Sequence, residues 1–178
     1  MSKILKAIGL MSGTSLDGVD AALLDTDGES VAVPGPALTV PYDSQTREML
    51  RAALDTARDV QAGAPMPYSI RVAERRVTEA HADAVRELLA KAGLAAHDVD
   101  LIGFHGQTIL HRPNQRLTWQ IGDGELLARL TGIDVVNDFR SADVKAGGQV
   151  KVSYKKTPSG QMVATKIEPA DSMKTRTR

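Results

Sequence analysis

Apolar residues along the chain recur at two different spacings, and the change between them marks out the elements. Ile4 to Met11 and Val19 to Asp25 are short runs of apolar, β-compatible residues, so both read as strands. Val31 to Tyr42 adds a third strand through Val31, Val33, Leu38 and Val40. Its Pro34-Gly35-Pro36 interruption suits a sheet edge, where a missing ladder donor is harmless. The period then becomes three and four. Asp43 or Ser44 caps a helix to about Thr56, with Met49, Leu50, Ala53 and Leu54 on one stripe. After a loop from Ala62 to Pro67, Ser69 caps a long helix to Ala92. Its Ile70, Ala73, Val77, Ala80, Ala84 and Leu88 form a buried face, and Gly93 ends it. His81 lies near that stripe and reads as a packed or solvated helix histidine rather than a ligand.

Asp98 to Phe104 is a buried strand following a helix, the pattern of a parallel crossover. Leu117 to Ile121 is another short strand. Asp123 caps a helix from Glu125 to Thr131, Gly132 closes it, and Ile133 to Val136 is the next strand. The alternation predicts a mixed α/β sheet with flanking helices over residues 1–149.

The turn between the first two strands carries the clearest chemistry. Ser12, Gly13, Thr14, Ser15, Leu16, Asp17 and Gly18 are mostly short or flexible residues. Gly13 and Gly18 permit positive φ and the close approach of a ligand. Successive N–H groups in such a turn form a nest for phosphate, with serine and threonine hydroxyls as further donors. Asp17 and Asp20 suit a phosphate that carries Mg²⁺, an ion taking one or two carboxylates besides phosphate oxygens and water. Together these features point to a nucleoside triphosphate; the plainer alternative is a turn built for geometry alone. A Walker loop is excluded, because Val19-Asp20 stands where Lys-Ser/Thr belongs and a strand follows. Gly13-Thr14-Ser15-Leu16 also resembles the nucleophile segment of subtilisin-like hydrolases, which leaves a serine hydrolase as a remote alternative.

Three strand ends carry polar clusters: His105-Gly106-Gln107-Thr108, Gln120 with Asp123, and Asn137-Asp138 with Arg140 and Asp143. Strand carboxyl ends are where open α/β sheets bind ligands, and amides, hydroxyls and paired charges around a cleft suit a polyhydroxy ligand. His111 reads as exposed loop.

Composition narrows the partners. Lys plus Arg number 22 and Asp plus Glu 22, so no global field favours nucleic acid or a membrane surface. The absence of Cys excludes disulfides and thiolate metal sites and fits the cytoplasm. No apolar leader or span is evident. After Gln149 the composition shifts. Lys151, Lys155, Lys156, Lys166, Lys174, Arg176 and Arg178 face Glu168 and Asp171, whereas the preceding 149 residues hold four Lys. Val150 to Tyr154 allows a short strand, and the rest reads as a basic disordered tail with no aromatic interleaving for nucleic acid.

Met11-Ser12-Gly13-Thr14-Ser15-Leu16-Asp17-Gly18-Val19-Asp20, His105-Gly106-Gln107-Thr108, Gln120-Ile121-Gly122-Asp123, Asp138-Phe139-Arg140 with Asp143, and Gly147-Gly148-Gln149 closely resemble the anhydro-N-acetylmuramic acid kinases, in order and spacing, from about residue 4 to residue 149. The resemblance implies the N-terminal lobe of a ribonuclease H-like, actin-like sugar-kinase fold. It implies that ATP and water open the 1,6-anhydro ring and phosphorylate O6, giving N-acetylmuramic acid 6-phosphate during cell-wall recycling. Gly13, Thr14, Ser15, Leu16, Asp17, Gly18, Val19 and Asp20 then form the ATP phosphate loop. His105, Gln107, Thr108, Gln120, Asp123, Asp138 and Arg140 face the amino sugar, and full-length members are implied to be homodimers.

One departure limits this reading. In the family, Gly-Gly-Gln leads into a second lobe whose Asp-x-Gly-Pro-Gly-Asn segment carries the general base; that segment does not occur in this sequence, so no catalytic base is named. The break at Val150 is expected to reflect a frameshift, a truncation or a short variant. The alternative is therefore a non-catalytic fragment with weak sugar or phosphate binding, exposing apolar surface meant for a second lobe.

Overall fold

The amino-terminal segment from Leu5 to Pro41 builds three adjacent strands at one side of the sheet. A computed structural model describes residues 3–29, 32–61, 64–112, 114, 117–139, 150–156, 158 and 162–169. In chain order the elements are β1 (Leu5–Ser12), β2 (Gly18–Thr26), β3 (Ala32–Pro41), α1 (Ser44–Asp59), α2 (Tyr68–Ala92), a 3-10 turn (Ala96–Asp98), β4 (Leu101–Arg112), β5 (Leu117–Ile121), α3 (Gly124–Thr131), β6 (Val135–Asn137), β7 (Val150–Lys156) and β8 (Met162–Pro169). The strands form one mixed sheet in the order β3-β2-β1-β4-β6-β8-β7, with β5 paired to the outer half of β4.

The first three strands are the expected antiparallel meander, with the proline-interrupted β3 outermost. β1 and β4 are parallel neighbours, as the crossover pattern requires, and β6 lies parallel to β4 on its far side. The helices cover one face. Ile8, Leu10, Val19, Ala21, Ile102 and Phe104 from the sheet are buried in one cluster with Leu50 and Ala53 of α1 and Ile70, Ala73, Val77, Val85 and Leu88 of α2. The alternate residues open onto the other face, where Met11 and Phe139 are exposed.

Local rules placed most helix ends. Asp43 caps α1, its carboxylate accepting Thr46 N–H at 2.6 Å. Arg76 of α2 ties to the same carboxylate at 2.8 Å and to Thr46 Oγ1 at 3.0 Å, so the cap also fastens the two helices together. Gly93 closes α2 in the left-handed region at φ 67°, and Leu94 N–H reaches back to Leu89 O at 3.0 Å. One start differs: α2 begins at Tyr68 behind Pro67, placing Ser69 inside the first turn. The fixed φ of proline is already suited to starting a helix, and no side-chain cap is made there.

Two longer differences matter more. β4 does not end at Phe104 but continues to Arg112, so His105 to Thr108 lie within a strand. The outer half persists because it has a ladder partner in β5. The segment after Val150 also departs from the expected disordered tail. Val150 begins the short strand anticipated there, and Met162–Pro169 forms a second strand antiparallel to it and parallel to β6. Val163, Thr165 and Ile167 are β-branched residues at period two, a strand signal that the dense lysines mask.

His81 shows what the α2 face demands. It is fully buried, its Nδ1 lies 2.7 Å from Val77 O, and its ring meets Phe104 edge-on at 4.9 Å. Burial pushes its pKa down from 6.5 to about 4, against the opposing pull of the Val77 carbonyl. Below pH 6.5 the unfolded chain binds a proton that the fold refuses. Stability is therefore full above about pH 6.5, declines as pH falls, and levels off below about pH 4. The loss is of order 3 kcal/mol. Urea unfolding of wild type and His81→Leu at pH 7 and pH 4.5 checks this: the wild type should lose more stability between the two pH values than the variant, and equal losses would contradict it.

Candidate functional site

The hairpin between β1 and β2 is shaped by what lies under it. Leu16 takes a left-handed conformation at φ 58°, unusual for a branched side chain, and its side chain is buried in the core. Its N–H closes the turn onto Gly13 O at 3.2 Å. The positive φ expected of Gly13 and Gly18 thus falls on Leu16 instead. Gly18 serves a different need: a Cβ there would stand 2.3 Å from Val40 O, so only glycine lets β3 approach. Val19 follows it into the core.

Thr14 and Ser15 are exposed at the tip. Ser15 Oγ donates to Asp17 Oδ1 at 2.7 Å. That bond, with backbone N–H groups at Asp17 and Gly18, holds the Asp17 carboxyl below its ordinary pKa. Asp17 is exposed; Tyr42 N–H bonds its carbonyl at 3.0 Å, and the Arg47 charge adds a smaller downward pull on its pKa. Asp20 opens onto the sheet face away from the helices. Its carboxylate accepts the Thr39 hydroxyl at 2.6 Å and borders a shallow groove of about 720 Å³ with Met11, Ala22 and Phe139. Asp17 thus stands in the exposed turn ahead of β2, and Asp20 on the strand itself beside Thr39. Each is a hard oxygen donor suited to Mg²⁺, and among the described residues no cluster of three His, Cys, Asp or Glu could hold a metal alone.

A second feature adjoins the hairpin. A cavity of about 550 Å³ opens beside Gly106 and is lined by His105, Gln120, Asp123, Asn137, Asp138 and Glu74 among others. β4 supplies His105, the end of β5 supplies Gln120, the N-terminus of α3 supplies Asp123, and the end of β6 supplies Asn137 and Asp138. Gln120 Nε2 lies 2.7 Å from His105 Nε2 and 3.1 Å from Thr108 Oγ1. This arrangement matches the tautomer in which His105 Nδ1–H points to Gly106 O at 3.3 Å and Nε2 accepts from Gln120. Asp123 also caps α3 through Leu126 N–H at 2.9 Å. Asp138 sits at φ 64°, a conformation aspartate tolerates better than most residues.

The expected sugar-facing residues thus divide. His105, Gln120, Asp123 and Asp138 meet around one cavity. Gln107 is fully buried and Thr108 stands behind Gln120; neither lines the cavity. Arg140 and Asp143, with Gly147, Gly148 and Gln149, lie outside the described residues. Glu74 is an addition. Its Oε1 accepts Gly122 N–H at 3.2 Å, and burial, reinforced by the Asp123 charge, raises its pKa. The signal for it was present: Glu74 and Thr78 fall four and eight residues after Ile70, on the helix face that must be buried.

Hairpin and cavity are joined. Ser12 Oγ donates to Gly106 O at 3.3 Å, and Gln107 Nε2 donates to Gly13 O at 3.1 Å. Gly106 makes the kink that allows this. It sits at φ 71°, and a Cβ there would come within 2.4 Å of Ile121 O.

Residues 5–152 match the family model described as anhydro-N-acetylmuramic acid kinase. A curated relative of that name from Azorhizobium caulinodans is 55% identical over 145 residues, covering 82% of this chain and 39% of the relative. Another of the same name from Rhizorhabdus wittichii is 56% identical over 149 residues, covering 84% of this chain and 40% of the relative. The chain thus spans about two fifths of the length of the curated relatives it matches. Among solved structures, YeaZ from Pseudomonas aeruginosa covers 98% of this chain and 71% of its own at 14% identity and a TM-score of 0.32, a likeness too slight to support an inference.

Gly106→Ala is expected to cost about 2–4 kcal/mol of stability, from the left-handed backbone and the contact with Ile121 O together. Denaturant unfolding reads this directly, and a loss under 1 kcal/mol would contradict the kink's steric origin.

Proposed function

Because the chain belongs to the anhydro-N-acetylmuramic acid kinase family, we propose that it carries the ATP-phosphate cradle and one wall of the sugar site of such a kinase. The reaction is the opening of the 1,6-anhydro ring by water with phosphorylation of O6 from ATP, yielding N-acetylmuramic acid 6-phosphate and ADP in peptidoglycan recycling in the cytoplasm. The observation that carries this reading is the pair of bonds joining hairpin and cavity, Ser12 to Gly106 and Gln107 to Gly13. They hold the hairpin and a polyol-sized cavity on either side of a single strand kink, which supports reading the one as a phosphate cradle and the other as the acceptor site.

In this reading the hairpin from Gly13 to Asp20 meets the ATP phosphates with backbone N–H groups and the Thr14 and Ser15 hydroxyls. Phosphoryl transfer needs little covalent help from a protein, so fixed donors at developing charge do most of the work. Mg²⁺ supplies charge neutralisation on the phosphates when bound. Asp17 and Asp20 would hold it, directly or through water. In the cavity, His105, Gln120, Asp138 and Glu74 hydrogen-bond hydroxyl and acetamido groups of the sugar, and Asp123 does so with the carboxylate oxygen that the α3 cap leaves over. Arg140 is proposed for the same wall. Full-length members act as homodimers in this account.

No general base is assigned, because Asp-x-Gly-Pro-Gly-Asn does not occur in the sequence. The 178-residue chain alone is therefore expected to bind without turnover. The serine hydrolase alternative lacks support: Ser15 Oγ donates to a carboxylate, whereas a triad nucleophile donates to a histidine.

Titration calorimetry of the chain with 1,6-anhydro-N-acetylmuramic acid tests the cavity. Gln120→Leu, which removes the donor shared by His105 and Thr108, should weaken binding by roughly tenfold or more. Unchanged affinity would overturn the assignment, and ADP release by the chain alone in a coupled assay would overturn the expectation of binding without turnover.

A further inference from the structure

The carbonyl of Gly13 receives two donors, Leu16 N–H at 3.2 Å and Gln107 Nε2 at 3.1 Å. Gln107 is fully buried, and the same Nε2 also donates to Thr108 O at 3.1 Å. Two carbonyl oxygens therefore converge on one amide nitrogen. That convergence fixes which way the amide faces, because turned over it would set its own oxygen against both. Its Oε1 is buried without a hydrogen-bond partner, so the side chain keeps this orientation at a cost.

A trans peptide is planar, with N–H directed opposite to C=O. Holding the Gly13 carbonyl inward on Gln107 turns the Thr14 N–H the other way, and Thr14 itself is exposed at the tip. We propose that Gln107 is a positioning residue that sets the Gly13–Thr14 peptide so that the Thr14 N–H is presented to a phosphate oxygen. The proposal rests on the hairpin being an ATP cradle and names what aims it. It also gives Gln107 a place on the donor side of the reaction rather than among the sugar contacts.

The experiment is amide exchange and titration with Mg²⁺·ATP on the full 178-residue chain, followed by ¹⁵N NMR in wild type, Gln107→Met and Gln107→Glu. In the wild type the Gln107 side-chain protons should be protected from exchange, and Mg²⁺·ATP should shift the Thr14 amide. In Gln107→Met, Leu16 N–H should exchange about tenfold faster while α2 amides keep their rates, and ATP affinity should fall about tenfold with loss of the Thr14 shift. Gln107→Glu sets a carboxylate against two carbonyls and should loosen the turn at least as much. Unprotected Gln107 side-chain protons in the wild type, or a Thr14 response retained in Gln107→Met, would overturn the proposal and leave the cradle standing. A wild-type chain in which ATP moves no hairpin amide would overturn the cradle itself, and with it the proposed role of the Thr14 N–H.

Discussion

Two hydrogen bonds between residues 94 positions apart, Ser12 to Gly106 and Gln107 to Gly13, govern how the chain's chemistry is arranged. They exist because β1 and β4 are parallel neighbours whose register slips between Leu10 and Ser12. The slip and the Gly106 kink together bring a buried glutamine under the hairpin. Without them the tip from Gly13 to Asp17 would be an ordinary polar turn, and the cavity beside His105 would have no fixed relation to it.

Residues around that junction hold it in place. Leu16 anchors the hairpin by burying its side chain despite a strained backbone, and Gly18 lets β3 lie against the returning strand. α2 braces the cavity from beneath, with Glu74 holding Gly122 N–H and Thr78 Oγ1 accepting Asp123 N–H at 3.0 Å. The outcome is a set of donors and acceptors in turns and at strand ends that the paired strands and α2 hold in place. Fixed dipoles of that kind are what phosphoryl transfer requires of a protein.

Much of this was legible because local chemistry dictates it. Asp43 and Asp123 cap helices, Gly93 and Gly132 end them, and the proline-broken β3 falls at an edge, each for reasons contained within a few residues. The motifs around Gly13, His105 and Gln120 also pointed to the family. What escaped depends on distant partners. The strand character of His105 to Arg112 comes from β1 and β5 on either side, not from its own polar sequence. The burial of Gln107 follows from that pairing, which is why a residue expected to touch sugar lies beneath the hairpin turn and does not line the cavity.

The most direct test is paramagnetic broadening of the chain's NMR spectrum by Mn²⁺·ATP. The account predicts that the Gly13 to Ser15 amides and the side chains of His105 and Gln120 broaden together, while Thr26 and Gly28, at the far end of the β1–β2 ladder, stay sharp. Sharp hairpin signals with broadening elsewhere would contradict it.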